Sequence, residues 1–156
     1  MTRPAARRAT ALGMLPAVAA LLLAGCTGPE PAPTGTPDPT AETTSLTDVV
    51  AGDCTDEAER ARVRVVDCAE PHDAEVFASF VLTEPAYDRD AIGASATIGC
   101  EEAFGAFVGL EFEASELGLR YVAPSEATWA QGDREVLCVV FDPAGTTAGT
   151  LEGSVR

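Results

Sequence analysis

A chain of 156 residues with 25 acidic side chains against ten basic ones carries a formal charge of −15. That length allows one domain of ordinary size, and the charge excludes nucleic acid as a partner, because phosphate binding needs a basic patch. Hydrophobic residues make up 46% of the chain, enough for a packed core, so disorder throughout is excluded as well.

All ten basic residues are Arg, a usage that fits a GC-rich genome. Arg3, Arg7 and Arg8 give the chain a positive start, and Ala9 to Ala24 follows without a charge. This apolar run is shorter than the roughly 20 residues a spanning helix needs, and Pro16 interrupts it. The arrangement reads as a secretory signal peptide over residues 1–25. Its end, Leu23-Ala24-Gly25-Cys26, looks like a bacterial lipobox: an aliphatic residue and two small ones before the cysteine that receives diacylglycerol. Cys26 is therefore the expected lipidation site and the first residue of the mature chain. Processing would remove three Arg and leave seven against 25 acidic residues, a side-chain charge of −18. Two or three acyl chains, palmitate among them, anchor stably where one is marginal. The expected location is the outer face of the cytoplasmic membrane. Arg7-Arg8 also raises twin-arginine export and leaves the route open.

Residues 26–45 form the lipidated cysteine and a linker. Thr27 to Ser45 holds Pro29, Pro31, Pro33, Pro37 and Pro39 among Thr, Gly and acidic residues, without apolar periodicity. Such a segment cannot bury enough surface to offset ordering. In the polyproline form it would reach about 60 Å, at about 3.1 Å per residue.

The extracytoplasmic domain is then residues 46–156. Arg62 to Cys68 alternates Val63 and Val65 against Arg62 and Arg64, which predicts a strand with one wet face. Glu70-Pro71-His72-Asp73 carries turn residues. Ala74 to Leu82 alternates again, with Val76, Ala78, Phe80 and Leu82 on one side, and the two runs read as a hairpin. Asp88 or Asp90 can cap a helix running to about Val108. Its apolar stripe is Ile92, Ala96, Cys100, Ala103, Phe104 and Phe107. Leu117 to Val122 is a third strand, with Leu117, Leu119 and Tyr121 on one face. Pro124-Ser125 opens a short turn or helix through Gln131, and Gly132 suits its end. Glu135 to Asp142 is the most apolar strand and is expected to be central. Leu151 to Val155 adds a last edge strand. The expected fold is α+β: a small antiparallel sheet of four to five strands with one main helix packed on it.

Several of these residues match one family. Gly52-Asp53-Cys54, Val66, Cys68, Pro71, His72, Glu75 and Val76 come first, then Cys100, then Tyr121, Pro124, Trp129, Gly132-Asp133-Arg134 and Cys138. In this pattern, which covers most of Val49 to Phe141, the domain resembles the septum formation domain family of actinobacterial envelope proteins. The resemblance implies a membrane-attached extracytoplasmic domain linked to cell division. It brings no catalytic residues. Family members are often tied to the membrane by a transmembrane helix, and this chain departs from that by its lipobox.

Cys54, Cys68, Cys100 and Cys138 are an even set in an exported chain, which implies disulfides. A zinc site would show close Cys-x-x-Cys pairs, and these cysteines are widely spaced. Four cysteines permit three connectivities. Cys54 and Cys68 flank the first strand. Cys100 lies on the helix stripe, and Cys138 shares a strand face with Val136 and Val140. The expected pairs are Cys54–Cys68 and Cys100–Cys138.

His72 is the only His. It reads as a turn residue bonded to backbone or to a carboxylate, with metal ligation and general-base catalysis as rivals. No Gly-x-Ser-x-Gly elbow accompanies it, and Ser79, Ser95 and Ser125 have no special context. Asp53, Asp56, Glu57 and Glu59 form an acidic cluster without a calcium-loop pattern, which suits a solvated rim. Trp129, the only Trp, is either a core plug or a contact anchor. Asp133 and Arg134 can pair, cap locally or read an anionic group. The expected function is a lipid-anchored binding or scaffold domain, not an enzyme, with no cofactor. Its partner would be an envelope or divisome protein or a wall polymer. The alternatives are a small envelope hydrolase using His72, or an acidic cation-binding module.

Overall fold

The structure is a computed structural model and describes residues 43–57 and 62–156. The expected signal peptide, Cys26, the expected linker up to residue 42 and Glu59 lie outside the described residues. Six strands form one sheet: β1 (Thr43–Ser45), β2 (Cys54–Glu57), β3 (Arg62–Val66), β4 (Ala74–Val81), β5 (Gly118–Val122) and β6 (Glu135–Phe141). Their order is β1-β3-β2-β4-β6-β5, every neighbour antiparallel. One long helix, α1 (Arg89–Val108), lies on one face, and a single-turn helix, α2 (Glu126–Trp129), precedes β6. No helix among the described residues is long and apolar enough to cross a membrane.

The start of α1 is fixed by Asp88, whose carboxylate accepts the backbone N–H groups of Asp90 and Ala91 at 3.0 and 3.1 Å. It ends at Gly109, which takes a left-handed φ of 82° and donates its N–H to Gly105 O. Ile92, Ala96, Cys100, Phe104 and Val108 are its buried stripe. The helix sits so close to the sheet at Gly99 that a β-carbon there would come within 2.5 Å of the Phe80 ring. Cys100–Cys138 bonds α1 to β6, and Cys54–Cys68 joins the start of β2 to the end of β3.

Strand β6 is buried on both faces. Val136, Cys138 and Val140 meet α1. Leu137 and Val139 join Val49, Val63, Ala74 and Val76 in a second, smaller cluster on the other face. The strand is therefore interior, between β4 and β5, though one place from the edge. On its second face the sheet curls: β4 and β6 separate β2 from β5, yet Glu57 and Arg120 meet there at 2.9 Å.

Four expectations need correction. The sheet has six strands, because β1 and β2 carried too few apolar residues to register; β1 takes in the last three residues of the stretch read as tether. The predicted hairpin does not form. β2 lies between β3 and β4, with Cys54 opposite both Val66 and Glu75. Val76 does not share a face with Ala78 and Phe80, because a bulge between Val76 and Ala78 adds a residue and inverts the alternation. Lastly, Leu151 to Val155 is no strand. It belongs to an irregular strap, Thr147–Arg156, that runs from the β3–β4 connection to the end of α1.

The strap is held at many points. His72 and Thr147 exchange backbone hydrogen bonds of 2.8 and 2.9 Å, and Gly149 N–H donates to Cys68 O at 2.6 Å. Leu151 is buried in the helix-side core. Gly153 and Val155 donate to Phe107 O and Val108 O, carbonyls that a helix end leaves without intrahelical partners. Val155 adopts φ 54°, which is strained for a β-branched residue. Arg156 finishes the strap by pairing with Asp142 at 2.6 Å and Glu116 at 3.0 Å.

Candidate functional site

The residues singled out in the sequence fall into two groups far apart. His72 and Glu75 lie at one end of β4, under the strap. Trp129, Asp133 and Arg134 lie at the other end, where β6 begins. An eight-residue strand spans about 25 Å, so these residues do not form one site.

His72 is wholly buried. Its Nδ1 is 2.9 Å from Glu70 O. A carbonyl only accepts, so Nδ1 carries the proton and donates. Nε2 has no partner among the described residues. Glu75 is 4% exposed; its carboxylate accepts the Thr150 hydroxyl at 2.7 Å and Leu151 N–H at 2.9 Å. Cys54, Cys68 and Glu75 come together in space, but both sulfurs are spent in the disulfide. Of the serines considered as partners for His72, Ser125 caps α2 and Ser95 donates to Glu84. That bond holds the Glu84 carboxyl below its ordinary value.

Trp129 is 7% exposed and part of the helix-side core. Tyr87 meets its ring edge-on at 6.0 Å. The Arg134 guanidinium covers its other surroundings, 3.6 Å from the ring centroid. Arg134 Nη1 donates to the carbonyls of Trp129 and Asp133 at 2.8 and 2.6 Å. Asp133 accepts Glu135 N–H at 3.0 Å. Asp133 and Arg134 thus cap the α2–β6 turn, and Trp129 plugs it.

The acidic cluster disperses. Asp53 accepts Val50 N–H at 2.9 Å, Asp56 faces Arg64 at 3.8 Å, and Glu57 pairs with Arg120. Each carboxylate has its own partner, so these three do not converge on a common point.

The open chemistry lies elsewhere, at residues the sequence did not mark as a site, although Tyr121 and Pro124 belong to the family pattern. A cleft of about 260 Å³ between the start of α1 and the end of β5 is lined by Tyr87, Arg89, Gly93, Tyr121, Pro124 and Glu126, among others. Tyr121 is 42% exposed. Its hydroxyl lies over Gly93, 3.3 Å from where a β-carbon would stand. Arg89 is exposed, and among the described residues it is the one arginine without an ion pair or side-chain hydrogen bond. Arg62, Arg64, Arg120, Arg134 and Arg156 are all engaged. Only tertiary contact brings Tyr87, Arg89 and Tyr121 together, so no local pattern announced them.

A family model described as septum formation matches residues 50–156. No curated protein and no solved structure matches the chain. The match takes in the disulfides, both fastening motifs and the strap, and the chain belongs to the septum formation family.

Proposed function

From membership of the septum formation family as premise, we propose that this chain is a lipid-anchored binding or scaffold domain on the outer face of an actinobacterial cytoplasmic membrane. It acts by display. Cys26 carries the acyl chains, the proline-rich linker spaces the domain from the bilayer, and the domain presents a rigid surface to an envelope or divisome protein or a wall polymer. It acts without catalysis.

The observation that carries this reading is the pair of disulfides in a domain that follows a signal-like segment and a lipobox. Disulfides persist in oxidising compartments. A small domain built to hold its shape outside the cell suits binding, and the His72 ring is buried against Glu70 O.

The test is made in the native envelope. Cys26→Ala should abolish acyl labelling and either release the domain from the membrane fraction or leave an uncleaved precursor. Crosslinking of the anchored protein should then recover one defined envelope partner at the septum. An unmodified mature N-terminus by mass spectrometry would remove the anchor. A hydrolytic activity lost in a folded His72→Ala protein would replace binding by catalysis.

A further inference from the structure

We infer that the free edge of β5, with the cleft at its end, is a docking site for an extended segment of a partner protein. The segment adds a strand to β5, sets an apolar or aromatic side chain against Tyr87 and Tyr121, and places a carboxylate on Arg89. This rests on the binding-domain reading and names the ligand class for it.

Three observations point the same way. First, β5 ends the sheet, and its outer side has no backbone partner among the described residues. The unpaired N–H and C=O groups of an edge strand are matched by another extended backbone about 4.8 Å away. A polypeptide supplies that repeat and a glycan does not. Two devices that blunt an edge are missing: Gly118–Val122 contains no Pro and pairs with β6 without a register shift. Its one charge, Arg120, is drawn to Glu57 and over the Phe141 ring on the curled face.

Second, Leu119 and Tyr121 lie on the helix side of β5, opposite Val140 and Cys138. A strand added to β5 would send alternate side chains to that side, past the mouth of the Tyr87–Tyr121 cleft. Third, the surface is acidic, with 22 Asp and Glu from residue 46 onward, so a carboxylate is repelled almost everywhere. Arg89, exposed and without an ion pair among the described residues, gives it one place to settle and thereby fixes register. Glu126 on the cleft's lining disfavours a second carboxylate there. The inferred segment carries an aromatic residue at one position and an acidic residue two positions away, side chains that share one face about 7 Å apart.

The test uses the full-length chain in detergent micelles and labelled nine-residue threonine–valine peptides carrying phenylalanine and glutamate two positions apart. Fluorescence anisotropy should show saturable binding. Arg89→Glu should weaken it by about tenfold or more and favour the peptide with lysine in place of glutamate. N-methylation of alternate peptide residues should abolish binding, and methylation of the intervening ones should leave it. Arg89 is exposed, so the variant should keep the parent's circular dichroism melt; if it does not, Arg89→Gln serves with the same expectation of weakening. Absence of binding tighter than about 1 mM, indifference to Arg89 variants, or equal tolerance of both methylation patterns would overturn the inference. So would saturable binding of soluble wall-glycan fragments at Tyr121 in place of the peptides. None of those results would alter acylation at Cys26 or crosslinking in the envelope, so the broader reading fails or stands separately.

Discussion

Glu75→Ala tests whether the strap is a working part of the fold. The carboxylate is buried and accepts two hydrogen bonds, from the Thr150 hydroxyl at 2.7 Å and Leu151 N–H at 2.9 Å. Hydrogen bonds to a charged group are worth about 1.5–3 kcal/mol each, and a buried donor left unmatched costs about 1–3 kcal/mol. Leu151 is 3% exposed, so its N–H has little access to water once Glu75 is gone. The Thr150 hydroxyl, on an exposed residue, is rehydrated and contributes less. The combined loss is about 3 kcal/mol. At about 4 °C per kcal/mol for a domain of this size, the melting temperature should fall by about 12 °C. The damage should also be local. Amide hydrogen exchange should quicken at Leu151, Gly153 and Val155 before it quickens in β6, because those donors and their carbonyls on α1 would share one opening. Thr150→Val, which keeps the Leu151 bond and removes the hydroxyl's bonds to Glu75 and from Glu152 N–H, should cost about 1 kcal/mol. A Glu75→Ala protein that melts within about 1 °C of the parent, with Gly153 and Val155 still protected, would refute the strap as a fastening.

Trp129→Ala should cost about 3–5 kcal/mol and release Arg134; a nearly unchanged calorimetric melt would mark the ring as a contact anchor. Opening Cys100–Cys138 by a double Cys→Ser change should cost about 4 kcal/mol in the loop-entropy account, against about 3 kcal/mol for Cys54–Cys68, and denaturant titration of the two variants should rank them so. The Asp142 carboxyl is held below its ordinary value by Ala144 N–H first and by Arg156 second. A depressed carboxyl stabilises the folded chain at pH above its unfolded value, and that contribution is lost as pH falls through the lowered one. Protection of the Val155 amide, taken relative to the intrinsic exchange rate at each pH, should therefore fall on acidification below the ordinary Asp range, and Asp142→Asn should flatten that dependence; a slope unchanged in the variant would show that another group governs it.

The sequence made α1 legible because its signals are local: a cap at Asp88 or Asp90 and a 3.6-residue stripe through Cys100 and Phe104. It made β6 legible because a run buried on both faces is apolar throughout. Once those two elements faced each other, Cys100 and Cys138 had an evident pairing. The order of strands was not legible. β2 has four residues, two of them acidic, and nothing local says that it enters between β3 and β4. The bulge near Phe77 was hidden for a related reason, since an alternating pattern with one extra residue still looks alternating on either side. The strap was hidden because its anchors are backbone groups and carboxylates distant in sequence, Glu75 lying 75 positions from Thr150 and Glu116 40 from Arg156. Its Leu151 looked like a strand residue because burial and strand pairing leave the same mark on a short apolar run.

The candidate site shows the same division from the functional side. His72, Trp129 and Arg134 are conspicuous in sequence as uncommon types in a chain poor in His, Trp and cations. They stand out because each makes a contact that ordinary residues cannot. In the folded chain those contacts are internal. His72 closes the β3–β4 connection beneath the strap, and Arg134 lies over Trp129 at the start of β6. A side chain committed to a buried hydrogen bond or a stacked ring is unavailable to a partner unless the local structure opens. Recognition by the closed domain must therefore be carried by groups left exposed and unengaged. Arg89 and Tyr121, both exposed, line one cleft beside a strand edge that has no backbone partner among the described residues.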